Sequence, residues 1–367
     1  MKICFVAPAD TPHTIKWATW FAGRGHDVHV VSFVKGDISG VTVHFIDTQV
    51  DPEDSDLSKI KYLFYARQLK TVIRNIGPDI VHVHYATSYG TVVALAGIRP
   101  YILSVWGTDV YDFPRRSGIH KAMLKYSLNK AARLLSTSCS MAKEARKYTK
   151  KQLDITPFGV DTGLFSPDKR TRTDDGRFIV GTVKKLDSVY GIDYLLRAIH
   201  LITKEDPDMD IYVRIAGEGP KAGEYKELAR TLGIEGRTEF LGQISQEEAA
   251  KEWANMDVAV IPSVSYESFG VSAVEAQACG TPVVISDVEG LMESTSPGVS
   301  SLVVPQRDER AIADAIMKLY RDSGLRNKMG TEGREYVVRR FSIDDCFKHI
   351  EALLEGFSRN SGHVIGK

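Results

Sequence analysis

The chain has 367 residues, more than one hydrophobic core organises, and at roughly 100–200 residues per domain two domains are expected. Charged residues make up 26% and apolar residues 43%, with no net charge, which excludes collagen-like, wholly disordered and disulfide-scaffold classes. No apolar run approaches the ~20 residues of a membrane span, and Cys4, Cys139, Cys279 and Cys346 form no C-x-x-C pair, so the expectation is a cytoplasmic chain without signal peptide or zinc site.

Lys2-Ile3-Cys4-Phe5-Val6-Ala7 reads as a short buried parallel strand. Asp10-Thr11-Pro12-His13 reads as the turn after it and lacks a G-x-G-x-x-G fingerprint. Residues 15–23 repeat at helical period, with Trp17, Trp20 and Phe21 inward. Strands follow at Val28–Ser32, Ile80–His84 and Tyr101–Val105, and this alternation predicts a parallel sheet covered on both faces. Residues 1–165 hold 21 Lys and Arg against 14 Asp and Glu, a net of +7, and residues 166–367 hold 26 against 33, a net of −7. The positive charge concentrates between Arg115 and Lys151, where 11 basic residues face the single acidic Glu144. That run is either a solvated helix face or a surface for an anionic partner, such as an anionic membrane or a phosphate-bearing acceptor. Met123, Leu124, Leu128, Leu134 and Leu135 interleave with it, as core positions or as part of a basic amphipathic surface. No recognition motif for nucleic acid accompanies the run.

Thr156–Asp161 and Phe165-Ser166-Pro167 read as a linker, and a second alternating half restarts at Phe178. Its strands are Phe178–Gly181, Ile211–Ala216, Val258–Ile261 and Pro282–Ile285. Two doubly wound domains place a ligand outside the carboxyl ends of the strands. Gly217-Glu218-Gly219 follows a strand but is an incomplete glycine fingerprint; it says that backbone comes close to a ligand or to another loop, and it disfavours a nicotinamide dehydrogenase. Asp206–Asp210 matches D-x-D by letter, yet reads as a polar turn rather than a metal site. The stretch Tyr266 to Cys279 is the most informative. A helix from about Ser268 would point its N–H groups at phosphate, and Gly270 would let a ligand approach. Glu267 and Glu275, eight residues apart, would then lie about 12 Å from each other at helical rise, the span from a hexose to the ribose of a nucleotide diphosphate sugar. The plainer alternative is a helix-start carboxylate and an incidental polar residue. Ile343–Phe357 reads as one amphipathic helix.

The Glu267–Glu275 segment resembles the Glu–seven residues–Glu motif of retaining glycosyltransferase family 4, the group 1 glycosyltransferases of GT-B fold. Phe158-Gly159-Val160-Asp161, Gly181–Asp193, Phe240-Leu241-Gly242 and Ala278–Val284 resemble further motifs of that family in the same order, so the likeness covers nearly the whole chain. It implies an α/β fold of two Rossmann-like domains facing a cleft. These are an acceptor domain over 1–165 with about 343–367, and a donor domain over 166–342, the C-terminal helix crossing back to the first. It implies that Glu267 contacts the donor sugar, that Phe269, Gly270 and Val271 offer backbone amides, and that Glu275 binds ribose. Lys184 stands where the family usually has a phosphate-binding Arg, and Tyr190 stands where it has a Lys. Glu267 and Lys184 are the expected catalytic residues; Lys185, Gly217, Gly219, Gly242 and Ser268 complete the expected donor site.

On the acceptor side, Trp106 replaces the His of a His-Gly-x-Asp-like segment and reads as a packed aromatic, leaving Asp109 as an acceptor-side carboxylate. His13 is a second acceptor-side residue, or simply a surface His. The implied reaction moves a hexosyl or N-acetylhexosaminyl group from a nucleotide diphosphate sugar, UDP before GDP, to a hydroxyl of a glycan or lipid-linked acceptor. The configuration is retained, no metal or other cofactor takes part, and peripheral membrane contact through 115–151 is expected. A GT-B-like sugar-nucleotide epimerase and a catalytically silent partner subunit are the alternatives. The first would turn over without an acceptor, and intact Glu267 and Glu275 speak against the second.

Overall fold

The strand order explains where ligands can bind. A computed structural model of the chain describes residues 1–50, 60–172 and 176–361. It divides into one unit of residues 1–157 with 347–367 and a second of residues 158–346. In the first, β1 (Lys2–Val6), β2 (Asp27–Ser32), β3 (Thr42–Phe45), β4 (Ile80–His84), β5 (Ile102–Val105), β6 (Arg133–Ser136) and β7 (Leu153–Ile155) form a parallel sheet in the order β3-β2-β1-β4-β5-β6-β7. In the second, β8 (Phe178–Val183), β9 (Ile211–Ala216), β10 (Thr238–Gly242), β11 (Val258–Ile261), β12 (Val283–Ser286) and β13 (Ser301–Val304) run β10-β9-β8-β11-β12-β13. Both sheets are doubly wound, and the order reverses between β1 and β4 and between β8 and β11. Loops diverge at such a reversal and leave a crevice at the carboxyl ends of the two strands.

The central strands are short apolar runs buried on both faces, as their composition predicts. β6 lies inside the basic run, so residues 115–151 are not one helix face: they thread the helices Gly118–Lys130 and Cys139–Ala145 and a buried strand between them. Leu124, Leu128, Leu134 and Leu135 are core residues at 0% exposure. Several basic groups are used internally: Glu144 pairs with Arg115 and Lys147, Arg133 with Asp154, and Lys151 donates to Asn129 and Ala131 carbonyls.

The first helix, Pro12–Gly23, starts earlier than the repeat of apolar residues suggests. Thr11 caps it and proline occupies its first turn, where the missing N–H costs nothing, so Pro12 and His13 are helical rather than part of a turn. Trp17 and Phe21 are buried; Trp20 is half-buried, under the Arg24 guanidinium. His82 and His84 share one face of β4 and pack against Phe5 and Trp17.

The expected linker is packed rather than loose. Phe158, Val160 and Phe165 are buried, and Val160 exchanges backbone hydrogen bonds with Phe341 and Ile343 at 2.8 and 2.9 Å. This binds them to the second unit and moves the crossing point to Pro157–Phe158, upstream of residue 165. The return crossing falls inside the helix Ile343–Ser361, at Cys346–Phe347. Beyond it, Phe347 meets the rings of Trp17 and Trp20 at 5.3 and 5.5 Å, and Glu351 accepts from His26 and Arg24. The C-terminal helix therefore completes the first unit. Burying a Phe side chain in this way is worth about 1.5–3 kcal/mol.

Candidate active site

At the reversal of the second sheet, the segments that leave β8 and β11 bring two charged side chains together. Lys184 follows β8 and Glu267 lies in the loop after β11; Lys184 Nζ is 2.6 Å from Glu267 Oε1, with side-chain exposures of 11% and 8%. Ser263 donates a 2.7 Å hydrogen bond to the same carboxylate oxygen. The Tyr190 ring lies 4.4 Å from Lys184 Nζ, a cation–π contact. Tyr190 replaces a charge by sequence, and in the structure it holds one in place. Gly290 presses the Glu267 backbone from the other side: a Cβ there would stand 2.1 Å from the Glu267 carbonyl oxygen. The roles of Ser263, Tyr190 and Gly290 come from how their loops pack: Gly290 meets Glu267 from 23 residues away, while Tyr190 and Ser263, six and four residues from Lys184 and Glu267, are turned onto those charges by the path of the loop.

The helix after Glu267 begins at Val271, three residues later than the composition suggests. Gly270 is its N-cap at φ 80°, and Glu267, Ser268 and Phe269 form the loop that enters it. Only part of the eight-residue interval is therefore helical, and the 12 Å span between the two glutamates loses its basis. The Ala273 and Val274 N–H groups already donate to the Gly270 carbonyl at 3.0 and 3.2 Å, so the helix-start amides open to a ligand are those of Val271 and Ser272. Ser272 donates to the Val183 carbonyl at 2.9 Å, which pins the helix start to the end of β8. The Phe269 side chain is buried edge-on against Phe341, 5.1 Å between centroids, so its backbone alone is offered to a ligand. Glu275, one helical turn in, is 7% exposed and accepts from Trp253 Nε1 at 3.4 Å. Burial first, and then the Glu275 carboxylate, push the Cys279 thiol up to about 12, so Cys279 stays protonated and is no nucleophile at neutral pH.

Lys184, Lys185, Tyr190, Gly217, Ser272 and Glu275 line one cavity of about 490 Å³. Gln243 and Ile244 close another side, just past Gly242, whose carbonyl accepts from Gly217 N at 2.7 Å. The glycines of 217–219 answer to another loop: a Cβ at Gly217 would stand 2.0 Å from the Lys184 carbonyl oxygen and one at Gly219 2.3 Å from that of Leu186. Gly217 thus both lines the cavity and lets Lys184 be where it is, while Gly219 serves the packing. Ser268 sits half-buried in the entering loop. A lysine pair, a helix start and a buried carboxylate around one cavity suit a ligand with a diphosphate and several hydroxyls. Asp206–Asp210 lies in the turn before β9, and among the described residues no group of three or more His, Cys, Asp or Glu is placed to hold a metal ion.

In the first unit, Asp109 is 1% exposed. Its two oxygens accept from the backbone N–H groups of Ala86, Trp106 and Gly107 at 2.8–3.3 Å, which makes it the anchor of the β4 and β5 exits rather than a group turned to an open surface. Burial raises its pKa and these three bonds oppose the rise. Trp106 is 6% exposed, and its ring lies 4.3 Å from His84, tilted, and 5.5 Å from His13, edge to face. Burial, helped by Lys16, lowers His13 to about 4, so this histidine is a neutral imidazole beside Trp106 rather than a charged surface group.

Residues 167–336 match the family Glycosyl transferases group 1, and residues 2–138 match Glycosyl transferase 4-like. A D-inositol 3-phosphate glycosyltransferase of Corynebacterium kroppenstedtii is 31% identical over 229 residues, 58% of this chain; the match spans half the length of that relative. A D-inositol 3-phosphate glycosyltransferase of Pseudarthrobacter chlorophenolicus is 30% identical over 314 residues, 78% of this chain and 73% of the relative. The chain belongs to the group 1 glycosyltransferases. Its fold is the GT-B fold: the sucrose-phosphate synthase of Thermosynechococcus elongatus superimposes with a TM-score of 0.84 at 22% identity, covering 98% of this chain and 100% of that one. HepE of Anabaena in complex with UDP-glucose superimposes with a TM-score of 0.78 at 19% identity, over 97% and 100%. In this group 1 glycosyltransferase the stretch Glu267–Glu275 lies on the loop and helix that follow β11. Among its described residues no helix is long and apolar enough to cross a membrane.

Proposed function

We propose that this glycosyltransferase moves a hexosyl or N-acetylhexosaminyl group from a nucleotide diphosphate sugar to a hydroxyl of a glycan or lipid-linked acceptor, with retention of anomeric configuration and without a metal. UDP-sugars are the first choice of donor and GDP-sugars the second; the Anabaena protein of the same fold is described with UDP-glucose. The observation that carries the proposal is the buried Lys184–Glu267 pair beside the start of the Val271–Ala278 helix, on one side of a cavity whose wall includes Glu275. In this reading the second unit is the donor domain and the first the acceptor domain. Lys184, Lys185 and the amides of Val271 and Ser272 neutralise the charge that grows on the departing diphosphate, by preorganised groups that need no rearrangement. Glu267 holds sugar hydroxyls and Lys184, and Glu275 holds the ribose. The bond from the anomeric carbon to the phosphate oxygen breaks and the bond to the acceptor oxygen forms on the same face, the acceptor proton passing to the departing phosphate. Peripheral contact with an anionic membrane through 115–151 belongs to the same proposal.

Thermal unfolding against UDP, GDP, ADP and their sugars, first without metal and then with magnesium, tests the donor site. Occupancy at 100-fold over Kd adds about 2.7 kcal/mol. A shift by one nucleotide, equal with and without magnesium and absent in Glu275→Ala, is the expected result. No shift with any nucleotide would overturn the donor assignment. Retention is read from the anomeric coupling constant of the product by proton NMR.

A further inference from the structure

The reversal of the first sheet also carries a cavity, about 350 Å³, at the carboxyl ends of β1, β2, β4 and β5. Its lining is unlike that of the donor cavity. Val34, Leu63, Tyr85, Phe113, Ile119 and Met123 supply an apolar and aromatic wall, and among the described residues no lysine or arginine lines it. Tyr62 and Tyr89 also line it and pack on Phe33, with ring centroids 4.6 and 5.0 Å away. Tyr85 is held at φ 68°, a region that costs a bulky residue roughly 1–2 kcal/mol. Polar lining residues include Asp10, exposed just past β1, with Thr11, Ser88 and Thr108, and His120 beside Ile119 on the Gly118–Lys130 helix.

The apolar wall does not end at the mouth. Ile119 lines the cavity and is 73% exposed, one helical turn from Met123 on the same face of the Gly118–Lys130 helix. Phe64, next to the wall residue Leu63, is 82% exposed. A bare sugar would leave this outward extension uncovered, whereas an alkyl chain would follow it from the cavity to the surface.

We infer that this cavity takes the alkyl chain of the acceptor. The acceptor class is a hydroxyl-bearing glycoside with an attached alkyl chain, its sugar turned toward Asp10 and Ser88 and its chain lying along Met123 and Ile119. This rests on the reading of the first unit as the acceptor domain and narrows that reading from glycan or lipid-linked to lipid-type acceptors.

The probe is a series of n-alkyl β-glucosides from methyl to octyl, below the concentrations at which they form micelles, titrated calorimetrically into the full chain, with UDP titrated in parallel. Affinity is expected to rise with chain length, by up to about fourfold per buried methylene. Met123→Gln and Ile119→Gln should each weaken octyl glucoside by roughly three- to tenfold while leaving methyl glucoside and UDP unchanged. Ile119 is exposed, so its substitution tests binding without threatening the fold. Equal binding of methyl and octyl glucosides, octyl binding indifferent to both substitutions, or D-inositol 3-phosphate competing out octyl glucoside with an affinity that both substitutions lower, would overturn the inference. Loss of UDP binding in the parent chain is a separate result, which strikes the donor site and not this cavity.

Discussion

Lys184 Nζ and Glu267 Oε1 stand 2.6 Å apart with little solvent on either side. Each stands at the exit of a different strand on either side of the sheet reversal, so the pair exists only when both loops are in place. Removing one partner strands the other: Lys184→Met should cost about 3–5 kcal/mol in stability. The double variant Lys184→Met/Glu267→Gln should recover most of that while transfer stays roughly 10²–10³-fold down. Denaturant unfolding and donor turnover on the four proteins of the cycle check it. Turnover that recovers along with stability would mean that the pair is structural only.

Gly290 sets Glu267 through its backbone. Gly290→Ala drives a methyl to 2.1 Å from the Glu267 carbonyl oxygen, so the loop must move. The expected outcome is a stability loss of about 1–3 kcal/mol, with at least a tenfold fall in kcat/KM for transfer and little change in UDP affinity. Melting curves, UDP titration and steady-state rates together separate this from general unfolding.

Trp253 orients Glu275 through its indole N–H at 3.4 Å, a contact between two helices that no local pattern signals. Trp253→Phe keeps the buried ring but loses the donor, and should weaken UDP binding several-fold, since one hydrogen bond to a charged group contributes about 1.5–3 kcal/mol. Glu275→Ala should weaken it further, and Trp253→Phe should add little in that background. A calorimetric cycle decides: full additivity would show that the indole does not act through Glu275.

The first unit should be acid-sensitive. Burial lowers His82 to about 3 and His84 further below its usual range; His82 donates to or accepts from Ser104 at 2.8 Å, whereas neither ring nitrogen of His84 has a hydrogen-bond partner among the described residues. Both are neutral in the fold, and the unfolded chain takes up their protons below about pH 6.5. Their contribution is therefore complete above pH 6.5 and is lost as pH falls from there, down to about 3 for His82, at about 1.4 kcal/mol per pH unit for each buried imidazole. His84→Leu should flatten this slope when guanidinium unfolding is compared at pH 7.5 and 5.0. An unchanged slope would remove His84 from the account.

Anionic membrane contact through 115–151 has an electrostatic signature. Binding to phosphatidylserine vesicles should fall steeply between low and high salt, as the Debye length shrinks from about 10 Å at 0.1 M to about 3 Å at 1 M. Co-sedimentation over that range checks it, and absent or salt-indifferent binding would end the idea.

The sequence by itself determined the two alternating halves, the parallel central strands, the amphipathic C-terminal helix and the stretch from Tyr266 to Cys279, because hydrophobic periodicity and local spacing are properties of neighbouring residues. It also marked Lys184, Glu267 and Glu275. It did not resolve the edge strands β3 and β7 or the strand β6 inside the basic run, which are three or four residues long and carry no period of their own. Only the tertiary structure decided that Gly217 and Gly219 yield to residues 184–186, that Asp109 faces backbone amides, and that Tyr190, Ser263 and Trp253 hold the charged groups of the site. Gly217 and Gly219 meet a loop 33 residues away, Asp109 reaches Ala86 23 residues away and Trp253 reaches Glu275 22 residues away, and no local pattern in a chain encodes which distant segment will arrive. Tyr190 and Ser263 lie only six and four residues from Lys184 and Glu267, where the path of the loop in the folded chain, not the spacing, turns them onto the charge.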